Sequence, residues 1–273
     1  MVRRKAFTLI ELLVVIAIIA LVVSILMPSL ARAKAMARAV VCQVNLHLWS
    51  VAIDLYCAEN NSFYPVEMYS TDAWMHQVEP YYPSAANSRL CPSAKPTSPN
   101  FFGSTFFAWD VQPYYGKPLS GSYGLNLWIN SLSPRYGASG WANRPAWQWQ
   151  QEDKVTVASA VPSVVDCAWI GANCFDYASC QTGVDADGYA LDYWQRMSGA
   201  VPPSETWNEQ HPATVTGEWE WNFRRICMNR HMKAINVGFC DGSGRRVPLQ
   251  ELWSLTWHKR FRTTPTVKIP WLK

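Results

Sequence analysis

The chain has 273 residues, a formal net charge of +4, and charged residues at 16%, well below the usual quarter. So small a positive balance gives no case for nucleic acid as a partner, and the length permits one large domain with a sizeable core. Aromatic residues reach 14%, with 15 Trp, which favours dense aromatic packing or adhesive surfaces; the 8 Cys, an even count, fit an oxidising compartment.

Arg3, Arg4 and Lys5 lead into an apolar run from Phe7 to Met27. A helix of that length spans about 30 Å, the thickness of bilayer hydrocarbon. The basic head favours the cytoplasmic side, which puts the rest of the chain across the membrane. An ordinary signal peptide has a shorter apolar region followed by a cleavage site, whereas here helix-forming sequence continues. One carboxylate, Glu11, interrupts the run. A charge inside a bilayer costs about 2.5–3.5 kcal/mol, so something must offset it.

The stretch "KAFTLIELLVVIAIIALVVSILMPSL" resembles the prepilin N-terminus of type IV pilins and type II secretion pseudopilins. The resemblance implies cleavage by a prepilin peptidase between Ala6 and Phe7 and N-methylation of Phe7. Ala6 stands where the family usually has Gly. Glu11 becomes the fifth mature residue, placed to pair with the Phe7 ammonium of its own or a neighbouring subunit. A buried charge that needs a neighbour's charge sets register in an assembly. The alternative for Glu11 is to snorkel to the headgroups.

The helix is expected to continue through "SLARAKAMARAVVCQVNLHLWSVAIDLYCAENN", which holds no Gly or Pro. Ala39, Cys42, Leu46, Trp49, Ile53 and Tyr56 recur at threes and fours and form one stripe, with Arg32, Lys34 and Arg38 near the membrane exit. Asn60 and Asn61 stop the helix and Pro65 closes it. Pro28 should kink or locally unwind it, since proline removes a backbone donor. In the resembled family the helix can melt at such a proline in a filament.

Beyond residue 60, short β patterns stand in "FYPVEMY", "VTVASAVPSVVDCAWIG", "AINVGFCDGSGRRVPL" and "TPTVKIPWL". Residues 92–120 and 134–153 read as long loops packed by their own aromatics. The fold class is α+β, a long N-terminal helix against an antiparallel sheet. The organisation is a leader (1–6), a transmembrane helix (7–30), its amphipathic continuation (31–60), and a β-rich domain (61–273).

His231, nine residues, then Asp241-Gly242 resembles the pilin-like H-x9-DG family of planctomycetes and related bacteria. "CQVNLHLWSVAIDLYCAENNSFYP", "LCPSA", "SYGLN" and "VPSVVDCAW" are similar to the same family, while residues 134–230 otherwise match least. Lys233 stands where the family commonly has Gly, which argues against a tight turn after His231. His231 and Asp241 have matching strand parity, on the Ile235 face. A catalytic dyad is the sharp reading; a strand anchor at His231 and an exit turn at Asp241-Gly242 is the favoured one. No nucleophile elbow, phosphate loop, zinc-protease helix or zinc-ligand spacing is present.

Asp185, Asp187 and Asp192 around Gly188 form a fragment of a calcium loop, with a solvated turn the simpler account. Trp141, Trp147 and Trp149 with Arg144 suggest an aromatic platform for a glycan, or buried packing. Cys42 and Cys57, about 22 Å apart on one helix, cannot bond each other. Cys167, Cys174 and Cys180 cluster, a Cys174–Cys180 disulfide being one option, and Cys227 and Cys240 flank the His231 strand.

These readings converge on a non-enzymatic, pilin-like structural subunit. Its expected partners are prepilin peptidase, other pilin-like subunits, the inner membrane, and secretion or pilus assembly machinery, with no nucleic acid. It would cross the inner membrane once, its C-terminal domain periplasmic or at the cell surface. No cofactor is expected, calcium being the one weak candidate. The alternative is a membrane-tethered module that binds a glycan or partner protein without polymerising.

Overall fold

The computed structural model describes residues 8–65, 73–82, 88–95, 103–111, 119–130, 145–172, 177–182, 187, 226 and 228–272. Helix α1 runs unbroken from Leu9 to Glu59. Thr8 caps it through a reciprocal box: Glu11 N–H donates to Thr8 Oγ1 at 3.3 Å, and Thr8 N–H donates to Glu11 Oε2 at 2.8 Å. The Thr-Leu-Ile-Glu sequence is thus also a helix-start signal. Pro28 lies inside the helix, which continues on both sides of it. Only one helical donor is lost there, and long helical stretches on both sides hold the register. The helix ends at Asn60, whose N–H donates to Cys57 O at 3.0 Å, and Asn61 follows with a left-handed φ of 53°.

The two halves of α1 have opposite surroundings. From Leu9 to Leu30 its large apolar side chains are exposed. Past the membrane-length segment, Ala39, Cys42, Leu46, Trp49, Ala52, Ile53 and Cys57 are buried, and Tyr56 is half-buried, which matches the expected stripe.

That stripe lies on a five-stranded sheet of order β5-β3-β4-β6-β7, built from β3 (Tyr123–Asn126), β4 (Pro162–Asp166), β5 (Gly171–Ala172), β6 (Ala234–Phe239) and β7 (Gly244–Pro248). All pairs are antiparallel except β3 with the edge strand β5. A separate hairpin pairs β1 (Trp109–Val111) with β2 (Leu119–Gly121), inside a stretch expected to be loop. Two short α-helices, α2 (Trp74–Val78) and α3 (Tyr177–Thr182), and several 3-10 turns accompany them among the described residues.

One β expectation fails, and another lies mostly outside the described residues. "TPTVKIPWL" forms no strand, because Pro265 and Pro270 remove ladder donors; Val267 and Ile269 are buried there without one. In "FYPVEMY" only Phe63 makes a β-bridge, to Gln151, and residues 66–72 lie outside the described set.

The helix meets the sheet through small and polar residues. Ser50 and Ser163 share a hydroxyl hydrogen bond of 2.8 Å, and Asn236 Nδ2 donates to Ala39 O at 2.9 Å. At Gly238 a Cβ would collide with Ser50 Oγ and stand 2.8 Å from Leu46 O. The core is tryptophan-rich: Trp49, Trp74, Trp109, Trp128, Trp147, Trp169, Trp253 and Trp257 are all buried. Trp49 meets Trp74 edge-on at 5.4 Å, and Trp147 stacks on His258 at 4.5 Å. With Trp149, which is buried too, nine of the 15 Trp fill the interior.

Gly238→Ala should push α1 off the sheet. The expected cost is about 1–3 kcal/mol, read as a lower urea midpoint for the full chain in detergent.

Candidate functional site: a buried Asp-Arg-His-Cys cluster

Asp166 ends β4 with its side chain fully buried between the sheet and α1. A carboxylate there is costly unless charges and donors meet it. Arg230 Nη1 stands 3.4 Å from Oδ1, His231 Nε2 stands 3.1 Å from Oδ2, and Asn236 N–H donates to Oδ2 at 2.9 Å. The Cys42 thiol, one turn into the α1 stripe, approaches Oδ1 at 3.3 Å. Cys91 Sγ, from the loop after α2, stands 3.4 Å from His231 Nε2. One ligand atom from each of Cys42, Cys91, Asp166 and His231 lies within 4.8 Å of all the others.

Arg230 is fully enclosed and donates to backbone oxygens as well, including Ser122 O at 3.0 Å and Ser104 O at 2.5 Å. It therefore holds Ser104 and Ser122 against β4 while neutralising Asp166. His231 is buried too, and its Nδ1 has no hydrogen-bond partner among the described residues.

The electrostatics follow from this enclosure. Burial pushes the Asp166 carboxyl up, but His231, Arg230 and the Asn236 N–H outweigh burial and hold it below the usual carboxylate range. Burial alone would lower His231; the Asp166 charge and hydrogen bond dominate and raise it to about 9. Burial drives Cys42 far up. For Cys91, burial is offset by hydrogen bonds from Cys42 and His231 and by the Arg230 charge, and the thiol is pulled down. The cluster thus favours thiolate at Cys91 and imidazolium at His231.

His231 and Asp241 do not meet as a dyad. His231 enters the core ahead of β6, and Asp241 lies in the β6–β7 turn at the far end of that strand, exposed to solvent. The parity argument fails because Met232 and Lys233 take left-handed φ values of 50° and 65°, so regular strand begins only at Ala234. A tight turn does follow His231, in the conformation glycine favours, although Lys233 occupies it. Arg246 Nη2 braces it by donating to His231 O at 3.1 Å and Met232 O at 2.6 Å.

The Asp-Gly pair forms the hairpin turn. Asp241 Oδ1 accepts from Ser243 N–H at 2.9 Å, and Gly242 has φ of 77°. The turn docks on α1, where His47 Nδ1 donates to Gly242 O at 2.5 Å and Gln43 Nε2 donates to Gly244 O at 2.6 Å. Asp54, farther along that helix, has a buried Oδ1 with no hydrogen-bond partner among the described residues. Burial, with the charges of Glu152 and Asp241, pushes its carboxyl up to about 7.

Ala6, Phe7, Trp141, Arg144, Cys174, Asp185, Gly188, Asp192 and Cys227 lie outside the described residues. Asp187 accepts from Trp147 Nε1 at 2.6 Å and stands 3.6 Å from Arg260 Nε, so both carboxylate oxygens have protein contacts. Trp147 and Trp149 are buried, as packing residues are. Cys42, Cys57, Cys91 and Cys240 are free thiols, all buried, and Cys167 is buried as well. Asp166, Arg230 and Cys91 were not singled out from sequence; the signal for Asp166 was a lone acid inside the apolar "VPSVVDCAW".

Residues 1–27 match the family model described as the prokaryotic N-terminal methylation motif. The N-terminus is therefore prepilin-like, and the motif implies processing by a prepilin peptidase. The α1 segment from Leu9 onward is long and apolar enough to cross a membrane. No curated protein and no solved structure matches the chain.

Two predictions follow the left-handed turn and the Asp54 carboxyl. Lys233→Gly should raise stability by about 1 kcal/mol, seen as a higher urea midpoint, because it relieves a side chain held at positive φ. Asp54 binds its proton more tightly in the folded chain than unfolded, so its contribution is full below about pH 4 and is lost as pH rises through about 7. Asp54→Asn should therefore stabilise at pH 8 by about 1–2 kcal/mol, solvent screening at this half-buried position limiting the gain, and change little below pH 4. Paired denaturation curves at the two pH values check it.

Proposed function

We propose that this chain is a pilin-like structural subunit, a pseudopilin, cut between Ala6 and Phe7 and methylated at Phe7. Residues 7–30 hold it in the inner membrane with a cytoplasmic N-terminus and a periplasmic or surface domain. Through α1 it joins other pilin-like subunits in a type II secretion or type IV pilus-like filament, built by the corresponding assembly machinery. His231, Asp241 and Gly242 serve the fold of this subunit, as the resembled H-x9-DG pattern suggests.

The observation that carries the reading is the methylation motif at residues 1–27 leading into a helix whose outer face stays apolar beyond membrane length. Val41, Val44, Leu48 and Leu55 are exposed, with Val51 half-buried between them. Their alternating spacing of three and four is the spacing of a coiled-coil seam. An isolated soluble domain gains nothing from such a stripe, whereas packed helices of neighbouring subunits would bury it. The glycan-binding alternative loses support, because Trp147 and Trp149 are interior.

Mass spectrometry of the chain co-expressed with a prepilin peptidase should find N-methyl-Phe7 as the first residue. Glu11→Gln separates the two roles of that side chain, because glutamine keeps the capping box and loses the charge. It should be processed normally yet fail to form cross-linked oligomers in membranes. Leu48→Glu should do the same from the other end of the seam. An intact Met1, or oligomers of Glu11→Gln equal to wild type, would count against the proposal.

A further inference from the structure

We propose that Cys42, Cys91, Asp166 and His231 form a closed four-ligand site for a divalent metal of the zinc class, which staples α1 to the sheet. The donor set is two thiolates, an imidazole and a carboxylate, a combination suited to Zn2+ and poorly suited to Ca2+ or Mg2+.

Geometry is the first support. A tetrahedral ion with zinc-like bond lengths sets its ligand atoms about 3.3–3.8 Å apart. With Asp166 Oδ2 as the carboxylate ligand, three edges of the cluster lie close to that range: Cys42 Sγ to Asp166 Oδ2 at 3.5 Å, Cys91 Sγ to His231 Nε2 at 3.4 Å, and His231 Nε2 to Asp166 Oδ2 at 3.1 Å. All the ligand atoms fall within 4.8 Å of one another.

Enclosure is the second. All four residues are buried, from α1, the loop after α2, β4 and the entry to β6. With four protein ligands and no solvent-facing position, the site is structural in type rather than catalytic. Charge is the third support. Two thiolates and one carboxylate carry three negative charges, which the dication and the buried Arg230 guanidinium together cancel. Arg230 and the Asn236 N–H, both on the Asp166 carboxylate, are the outer contacts that orient a ligating carboxylate.

The competing fate of two neighbouring thiols in an oxidising compartment is a Cys42–Cys91 disulfide. The test therefore starts from full-length chain extracted in detergent from membranes without reductant. Elemental analysis should find zinc at one equivalent per chain, and alkylation with mass spectrometry should find no Cys42–Cys91 disulfide. Metal-stripped chain titrated with Co2+ alone should develop the intense visible bands of tetrahedral thiolate coordination, lost on adding one equivalent of Zn2+. Cys91→Ser should weaken Co2+ binding roughly 100-fold or more. Cys57→Ser, on the same helix but outside the cluster, should leave the titration unchanged. The wild-type titration does not depend on either variant folding. A Cys42–Cys91 disulfide, free thiols with no bound metal, a Co2+ spectrum without tetrahedral bands, or full Co2+ binding by a folded Cys91→Ser chain would each overturn the proposal.

Discussion

The carboxylate of Asp166 has no water to solvate it, and the globular part of the molecule is arranged so that it needs none. Arg230 and His231 bring opposite charge, Asn236 brings a backbone donor, and Cys42 brings a thiol from the helix. These groups arrive from α1, β4 and the segment leading into β6. Removing any one of them leaves a buried charge short of its partner, and breaking a buried pair typically costs about 3–5 kcal/mol. Hydrophobic burial favours collapse of the helix onto the sheet without fixing their relative position. The polar cluster supplies that fixing, since its hydrogen bonds are directional and a shift of one residue would break them.

A second joint lies at the other end of β6. There the Asp-Gly turn meets α1 through His47 and Gln43; Gly242 supplies the left-handed turn, and Gly244 lets the backbone approach the helix closely. The cluster and the turn thus clamp the helix at both ends of one strand, with Gly238 and the Ser50–Ser163 contact between them. Such a clamp suits a helix that must transmit position from a membrane-length segment to a folded domain. It uses the inner face of α1 and leaves the apolar seam on the outer face exposed.

Lys233 shows how local chemistry and fold can disagree. The backbone there is left-handed, the conformation in which glycine costs least, yet the side chain is lysine. Hydrogen bonds from Arg246 to the carbonyls of His231 and Met232, and from Lys233 N–H to the Asn229 side chain, hold the turn despite that. Reading lysine as evidence against a turn was reasonable from propensity and wrong in this context, because contacts from β7 override a cost of about 1 kcal/mol. Pro28 is carried inside α1, with long helical stretches on either side of it.

By itself the sequence determined what nearest neighbours along the chain can encode. The methylation motif, the apolar membrane-length run, the buried stripe of α1, its stop at Asn60 and the Asp-Gly hairpin each repeat or signal within a few residues, so periodicity and turn chemistry reveal them. Only the tertiary structure decided which lone polar residues would meet. Cys42 lies 124 residues from Asp166, and Cys91 lies 140 residues from His231, so no spacing rule for metal or catalytic sites could join them. It also decided that nine tryptophans among the described residues face inward and that His231 turns away from Asp241. Those outcomes depend on strand order and on how closely α1 approaches Gly238, and long-range packing sets both.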